Sequence, residues 1–169
     1  GNMTFALGSG AEFSAAAISL AGGNLVLDAT NGTTAEVSLT DISGSGSVTL
    51  SFGGGSGAVS AGVVGAGKNF TMDASNSGAK YDFHSISGSG AVTISLGGEA
   101  AFSGSAITNA AGNVTIDASG ASSADITLQY ISAAGNLTVS MGSGTGDVTL
   151  VSADTNKNFV FDASNSSGE

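Results

Sequence analysis

The 169-residue chain has no cysteine, no proline and no tryptophan, and its only basic side chains besides one histidine are Lys68, Lys80 and Lys157. Without cysteine there are neither disulfides nor thiolate metal sites. Without proline every residue keeps a backbone N–H, as a structure built entirely of hydrogen-bonded ladders requires. Three lysines and no arginine, set against 13 acidic residues for a net charge of −10, cannot neutralise a phosphate backbone. Nucleic acid is therefore not an expected partner, and an anionic membrane surface is disfavoured for the same reason. His84 stands alone, so no histidine metal cluster or proton relay can be assembled. No apolar run reaches bilayer-spanning length and no signal peptide is visible, so membrane insertion is not expected. Aromatic residues make up only 6% of the chain. A round core of bulky side chains is thereby excluded in favour of a thin, repetitive one. Nucleophile-elbow, phosphate-loop and dinucleotide motifs are also missing, the Gly-Ser runs being connections between strands.

What the chain has is a repeat. The segments MTFAL, LVLDA, VTLSF, FTMDA, VTISL, VTIDA, LTVSM and FVFDA begin at Met3, Leu25, Val48, Phe70, Val92, Val114, Leu137 and Phe159, always 22 or 23 residues apart. Each alternates apolar with polar residues, the period of a strand. Their first residues form one expected inward column, and Phe5, Leu27, Leu50, Met72, Ile94, Ile116, Val139 and Phe161 form a second. A third alternates large and small: Leu7, Ala29, Phe52, Ala74, Leu96, Ala118, Met141, Ala163. Ile42, Ile86 and Ile131 follow the alanine turns and are expected to replace the lost volume, making a pair of turns the true unit. A second apolar cluster follows 10–14 residues after the first, as in Val37 with Leu39, Tyr81 with Phe83 and Ile126 with Leu128. The expected fold is all-β: a parallel β-solenoid (β-helix) of about eight turns, with two strands per turn and room for a short third. Stacked at the strand spacing, eight turns make a rod of roughly 35–40 Å. Residues 1–169 read as one domain, cut from a longer repeat array whose export signal lies elsewhere.

Four sets of residues are candidates for chemistry. Asn24, Asn69, Asn113, Asn136 and Asn158 each precede a first strand, and stacked amides of this kind can bond between turns as a ladder. Thr49, Thr71, Thr93, Thr115 and Thr138 form an outward column that offers a surface for ice or glycan. Strand preference alone also accounts for threonine there. Asp28, Asp73, Asp117 and Asp162 recur every second turn, interleaved with Ser51, Ser95 and Ser140. Together with Glu36, Asp82 and Asp125, expected to face them, they are candidate Ca²⁺ ligands. The competing reading of those aspartates is an Asx-turn, with the carboxylate accepting from the backbone two residues on. No cofactor is required by any of this. The six Asn-x-Ser/Thr triplets mostly reflect the repeat rather than glycosylation.

Runs such as GNLVLDAT, GNVTIDASG and GNLTVSMGSG resemble the repeats of large secreted bacterial surface proteins. These include haemagglutinin-like and autotransporter adhesins, S-layer proteins and type I-secreted adhesins. The resemblance implies export, an extracellular or cell-surface location, and a structural or adhesive role without catalysis. Unpaired strand edges at the ends of such a stack predict either continuation into neighbouring repeats of a longer polypeptide or end-to-end self-association, with a cell-surface glycan as the other expected partner. The Gly-Gly-x-Gly-x-Asp calcium repeat of the type I-secreted families is absent: Gly53-Gly54-Gly55 and Gly97-Gly98 lack the aspartate. A polysaccharide-degrading β-helix enzyme is the catalytic alternative. It would need clustered acids with basic groups on long loops, and the turns here are short.

Overall fold

The computed structural model describes residues 1–32, 36–54, 57–109 and 111–167. Among them are fifteen strands and no helix. Strands are numbered in chain order, and odd and even numbers fall into different sheets. The first sheet contains β1 (Met3–Ala6), β3 (Leu25–Ala29), β5 (Val48–Phe52), β7 (Phe70–Ala74), β9 (Val92–Gly98), β11 (Val114–Ala121), β13 (Leu137–Met141) and β15 (Phe159–Asp162). The second contains β2 (Glu12–Leu20), β4 (Glu36–Gly44), β6 (Val59–Ala66), β8 (Lys80–Gly88), β10 (Ala101–Asn109), β12 (Asp125–Ala133) and β14 (Val148–Thr155). Every strand therefore hydrogen-bonds to the one two places away in sequence. All these pairings are parallel, and the chain is a β-solenoid of seven two-strand coils closed by an eighth first-sheet strand.

Register follows from the repeat length. Leu25 pairs with Val48, Val48 with Phe70, Phe70 with Val92, and so on up the first sheet. Equal spacing lets each apolar residue sit on its counterpart, so burial of one column fixes the register of all its strands. Val48, Phe70, Val92, Val114 and Leu137 are fully buried. The column opens to solvent at its two ends, where Met3 is 37% and Phe159 47% exposed.

The second sheet departs from strict alternation. In β4, Val37, Leu39 and Ile42 are buried while Thr40 and Asp41 are both exposed. The same pair of consecutive outward residues recurs in β8 and β12. Each nine-residue strand thus changes phase midway, and no separate third strand forms among the described residues.

This phase change alters how volume is balanced. Ile42 pairs with Val64 and Ile18, and Ile86 with Val64 and Ile107, so that position is apolar in every internal coil and replaces nothing. The complement to the alanine turns lies instead in a column running Ala15, Leu39, Ala61, Phe83, Gly104, Leu128, Leu150. Coils with Leu7, Phe52 or Leu96 in the first sheet carry Ala15, Ala61 or Gly104 here. Coils with Ala29, Ala74 or Ala118 carry Leu39, Phe83 or Leu128. The two-coil period holds through the first six coils, where close packing explains it, and lapses in the last, which carries Met141 with Leu150.

Candidate functional site

The Asx-turn reading holds for the aspartate column. Asp28 Oδ1 accepts the Thr30 backbone N–H at 3.0 Å and the Thr30 hydroxyl at 2.6 Å. Asp73 receives the same two bonds from Ser75 at 3.1 and 2.7 Å. Asp117 and Asp162 accept the backbone N–H groups of Ser119 and Ser164. The carboxylates of Asp28, Asp73 and Asp162 close the turns that end β3, β7 and β15, whereas Asp117 lies within β11, at the register shift between Asp117 and Gly120. Bonds from the Thr30 hydroxyl and N–H hold the Asp28 carboxyl below its ordinary range, and those from Ser164 do the same for Asp162.

Glu36, Asp82 and Asp125 do not face these aspartates. They lie on β4, β8 and β12, exposed on the outer side of the second sheet, with the apolar core between the two sets. The chain reverses between sheets, so outward positions of one point away from outward positions of the other. Asp82 accepts the Ser103 hydroxyl at 2.9 Å, and Asp125 the Asp147 N–H at 3.1 Å. No group of three or more acidic or histidine side chains gathers among the described residues. The proposed calcium ligand set is thus split across opposite faces, and within the first sheet Asp28 is separated from Asp73 by Ser51.

The asparagine column bonds between coils from side-chain Oδ1 to backbone N–H. Asn24 Oδ1 accepts the backbone N–H of Ser47 at 3.0 Å, Asn69 Oδ1 that of Ala91 at 2.9 Å and Asn113 Oδ1 that of Asn136 at 2.9 Å. Asn136 Oδ1 does the same for Asn158 at 3.3 Å. Each side chain reaches the backbone one coil on, so Ser47 and Ala91 can donate the N–H although neither is Asn. Glycine before the column makes room. A Cβ at Gly46 would overlap the Gly23 carbonyl and crowd Asn24 Oδ1, and one at Gly90 would strike Asn69 Oδ1.

The threonines form the expected outward column. Thr49, Thr71, Thr93, Thr115 and Thr138 are consecutive register partners on β5 to β13 of the first sheet, and Val26 and Val160 flank them. The second sheet carries a comparable outward column that the alternation pattern did not reveal: Ser14, Ser38, Ser60, Asp82, Ser103, Thr127 and Thr149. His84 is exposed on β8, as expected.

One polar pair is buried. The Tyr81 hydroxyl donates to Ser77 Oγ at 2.7 Å, and both residues are about 1% exposed. Burial pushes the Tyr81 phenol up to about 12. Phe52 packs on the Tyr81 ring at 5.2 Å, and the small cavity beside them is roughly the size of one water. With the Ala79 N–H also donating to Ser77 Oγ at 3.2 Å, the pair ties the turn before β8 to the core. Comparison with known proteins finds no matching family model, no similar curated protein and no similar solved structure.

Proposed function

We propose that this chain is a non-catalytic structural repeat module of an extracellular bacterial surface layer, adhesin or filament. The observation that carries the reading is the unbroken parallel register from β1 to β15, which joins seven coils and a final strand into one continuous core. Such a stack resists bending because each added coil repeats the same ladder and the same apolar contacts. Its outer faces repeat short polar side chains at the strand spacing, which suits lateral contact with like surfaces or with glycan. Acids dispersed over opposite faces, with no arginine, favour this role over polysaccharide cleavage. The test is antibody labelling of intact cells of the source organism. Labelling without permeabilisation is expected, and labelling only after permeabilisation would overturn the location and the role together.

A second reading is favoured by one observation, the five consecutive threonines of the first sheet. A face of this kind can order water against ice or bind a glycan. The alternating Ser and Asp of the neighbouring column make it less uniform than a paired threonine face. Thermal hysteresis that is lost in the Thr93→Tyr and Thr115→Tyr double variant would establish ice binding. Unchanged freezing behaviour of the parent chain would dismiss it.

A further inference from the structure

The turns that follow β3, β7 and β15 are built alike. Ala29 O accepts the Gly32 N–H at 3.0 Å, Ala74 O the Ser77 N–H at 3.0 Å and Ala163 O the Ser166 N–H at 2.9 Å. Each turn sets an asparagine immediately before the donor: Asn31, Asn76 and Asn165, all three exposed.

The residue after the asparagine differs. Ser77 is held through its side chain, its Oγ accepting the Tyr81 hydroxyl at 2.7 Å and the Ala79 N–H at 3.2 Å, and it is 1% exposed. Ser166 Oγ donates to Gly144 O at 3.3 Å, which ties that turn to the coil before it. Gly32 has no side chain through which to be held, and its bond to Ala29 O engages the nitrogen directly. Without a Cβ, the approach to that nitrogen is also open. No other asparagine in the chain precedes glycine.

We propose that the Asn31–Gly32 turn is a self-modification site, at which Asn31 loses its side-chain amide and becomes aspartate and isoaspartate. Asparagine is a chemically labile residue, and local opening of one turn costs far less than unfolding. Once released from Ala29 O, the Gly32 nitrogen gives its proton to hydroxide and attacks Asn31 Cγ. The Cγ–Nδ2 bond breaks, and ammonia leaves with a proton drawn back from water, which restores the hydroxide and closes a five-membered imide. Water then opens the imide. Addition at Cγ yields aspartate on an unchanged main chain, and addition at the backbone carbonyl yields isoaspartate, with the chain routed through Cγ. Isoaspartate lengthens the main chain inside a four-residue turn, so the Gly32 bond to Ala29 O is lost. Gly32 is buried beside the small cavity edged by Ala29, Phe52 and Tyr81, and that corner of the coil loosens with it. Either product adds one negative charge to a chain already at −10. Water is the only reagent, so the inference stands apart from the role and location proposed above.

Incubation of the folded 169-residue chain in mildly alkaline buffer, followed by proteolysis and peptide mass spectrometry, tests it. Asn31 is expected to be replaced by the acid with time, its isoaspartate form accepting a methyl group from an isoaspartyl methyltransferase, while Asn76 and Asn165 keep their amides. An intact amide at Asn31, or loss at Asn76 or Asn165 as fast as at Asn31, overturns the proposal. Gly32→Ser copies the residue at the equivalent place of the other two turns, and is expected to abolish the conversion with the circular dichroism spectrum unchanged. Conversion at the parent's rate in that variant also overturns it. Should the variant fail to fold, the parent chain in guanidinium decides. Asn31 is expected to convert faster there than in the fold, because the bond from Gly32 to Ala29 no longer holds the nitrogen. Equal rates in the folded and unfolded parent contradict the role given to the turn.

Discussion

Gly104 and Leu128 are register partners on β10 and β12, and a Cβ at Gly104 would stand 3.1 Å from Leu128 Cδ2. The pairing is one step of the large–small column that balances the alanine turns of the first sheet. Phe102 closes in from the same strand at 3.4 Å, so little room is left for any side chain. Gly104→Leu is expected to cost about 1–3 kcal/mol by overpacking, and Leu128→Ala about 2–5 kcal/mol by leaving a cavity. The double variant should cost clearly less than the sum, because the new leucine occupies space vacated by the old. Chemical denaturation of the four proteins measures this. Additive losses would remove the volume exchange from the account.

The asparagine column gives a sharper discrimination. Asn69 acts through its Oδ1, which accepts the Ala91 N–H. Asn69→Ala is expected to cost about 0.5–1.5 kcal/mol and to speed hydrogen exchange at the Ala91 amide. Asn69→Asp keeps an acceptor and should retain most of the stability. An amide-to-amide ladder would instead lose its donor in both variants. Equal losses from Asn69→Asp and Asn69→Ala would therefore restore that arrangement.

Acid should loosen the turns that the aspartates close. An unfolded Asp carboxyl titrates near 3.9, and Asp28 and Asp162 titrate lower in the fold because of the hydrogen bonds they accept. At intermediate pH the unfolded chain thus binds more protons than the native one. The stabilisation is complete above about pH 4 and is lost as pH falls through the depressed native values. Asp162 is exposed and Asp28 no more than half-buried, so the effect is small. Replacing both with Asn keeps an oxygen acceptor that does not titrate, and should flatten this part of the Tm against pH curve. An identical slope in parent and variant would contradict the assignment.

Alkali reports on the buried pair. In a Tyr130→Phe background Tyr81 is the sole phenol, and its ultraviolet ionisation step should come at about 12. The unfolded phenol titrates near 10, so the native state holds the proton more tightly. The stability this provides is present below about 10 and disappears as pH rises through the native value. A reversible step near 10 in the folded variant would mean that Tyr81 is open to water.

Calcium should leave the molecule unchanged. The first-sheet aspartates are occupied by their own turns, and Glu36, Asp82 and Asp125 are across the core. Tm is expected to be the same with added Ca²⁺ and with chelator. A rise with Ca²⁺ would require a ligand set other than the one formed by these residues.

Much of the fold was legible because equal repeat length and alternation are both written in residue order. Val48 above Leu25 and Thr93 above Thr71 need nothing more than the 22–23-residue spacing. The volume exchange was harder to locate. Thr40 and Asp41 both point outward, and two polar neighbours in a row do not say which residue on either side faces in. The alternation therefore revealed that compensation exists but pointed to Ile42 instead of Leu39. Asparagine at position 69 signals a bond between coils, yet its identity cannot tell whether the oxygen meets an amide or a backbone N–H. The split of the acidic residues depends on where the chain reverses between sheets, and Asp73 and Asp82, nine positions apart, end on opposite faces for that reason.

The central claim is that coils lie parallel and in register, and paired spin labels test it most directly in a chain free of native cysteine. Ser14 and Thr127 are five strands apart in one outward column of the second sheet, and Ser19 and Ser132 are five strands apart at the other end of the same strands. Parallel stacking predicts the same separation for both pairs, about 24 Å between backbones. If the strands alternated in direction, matching one pair would carry the other far apart, and two clearly unequal distances would contradict the account.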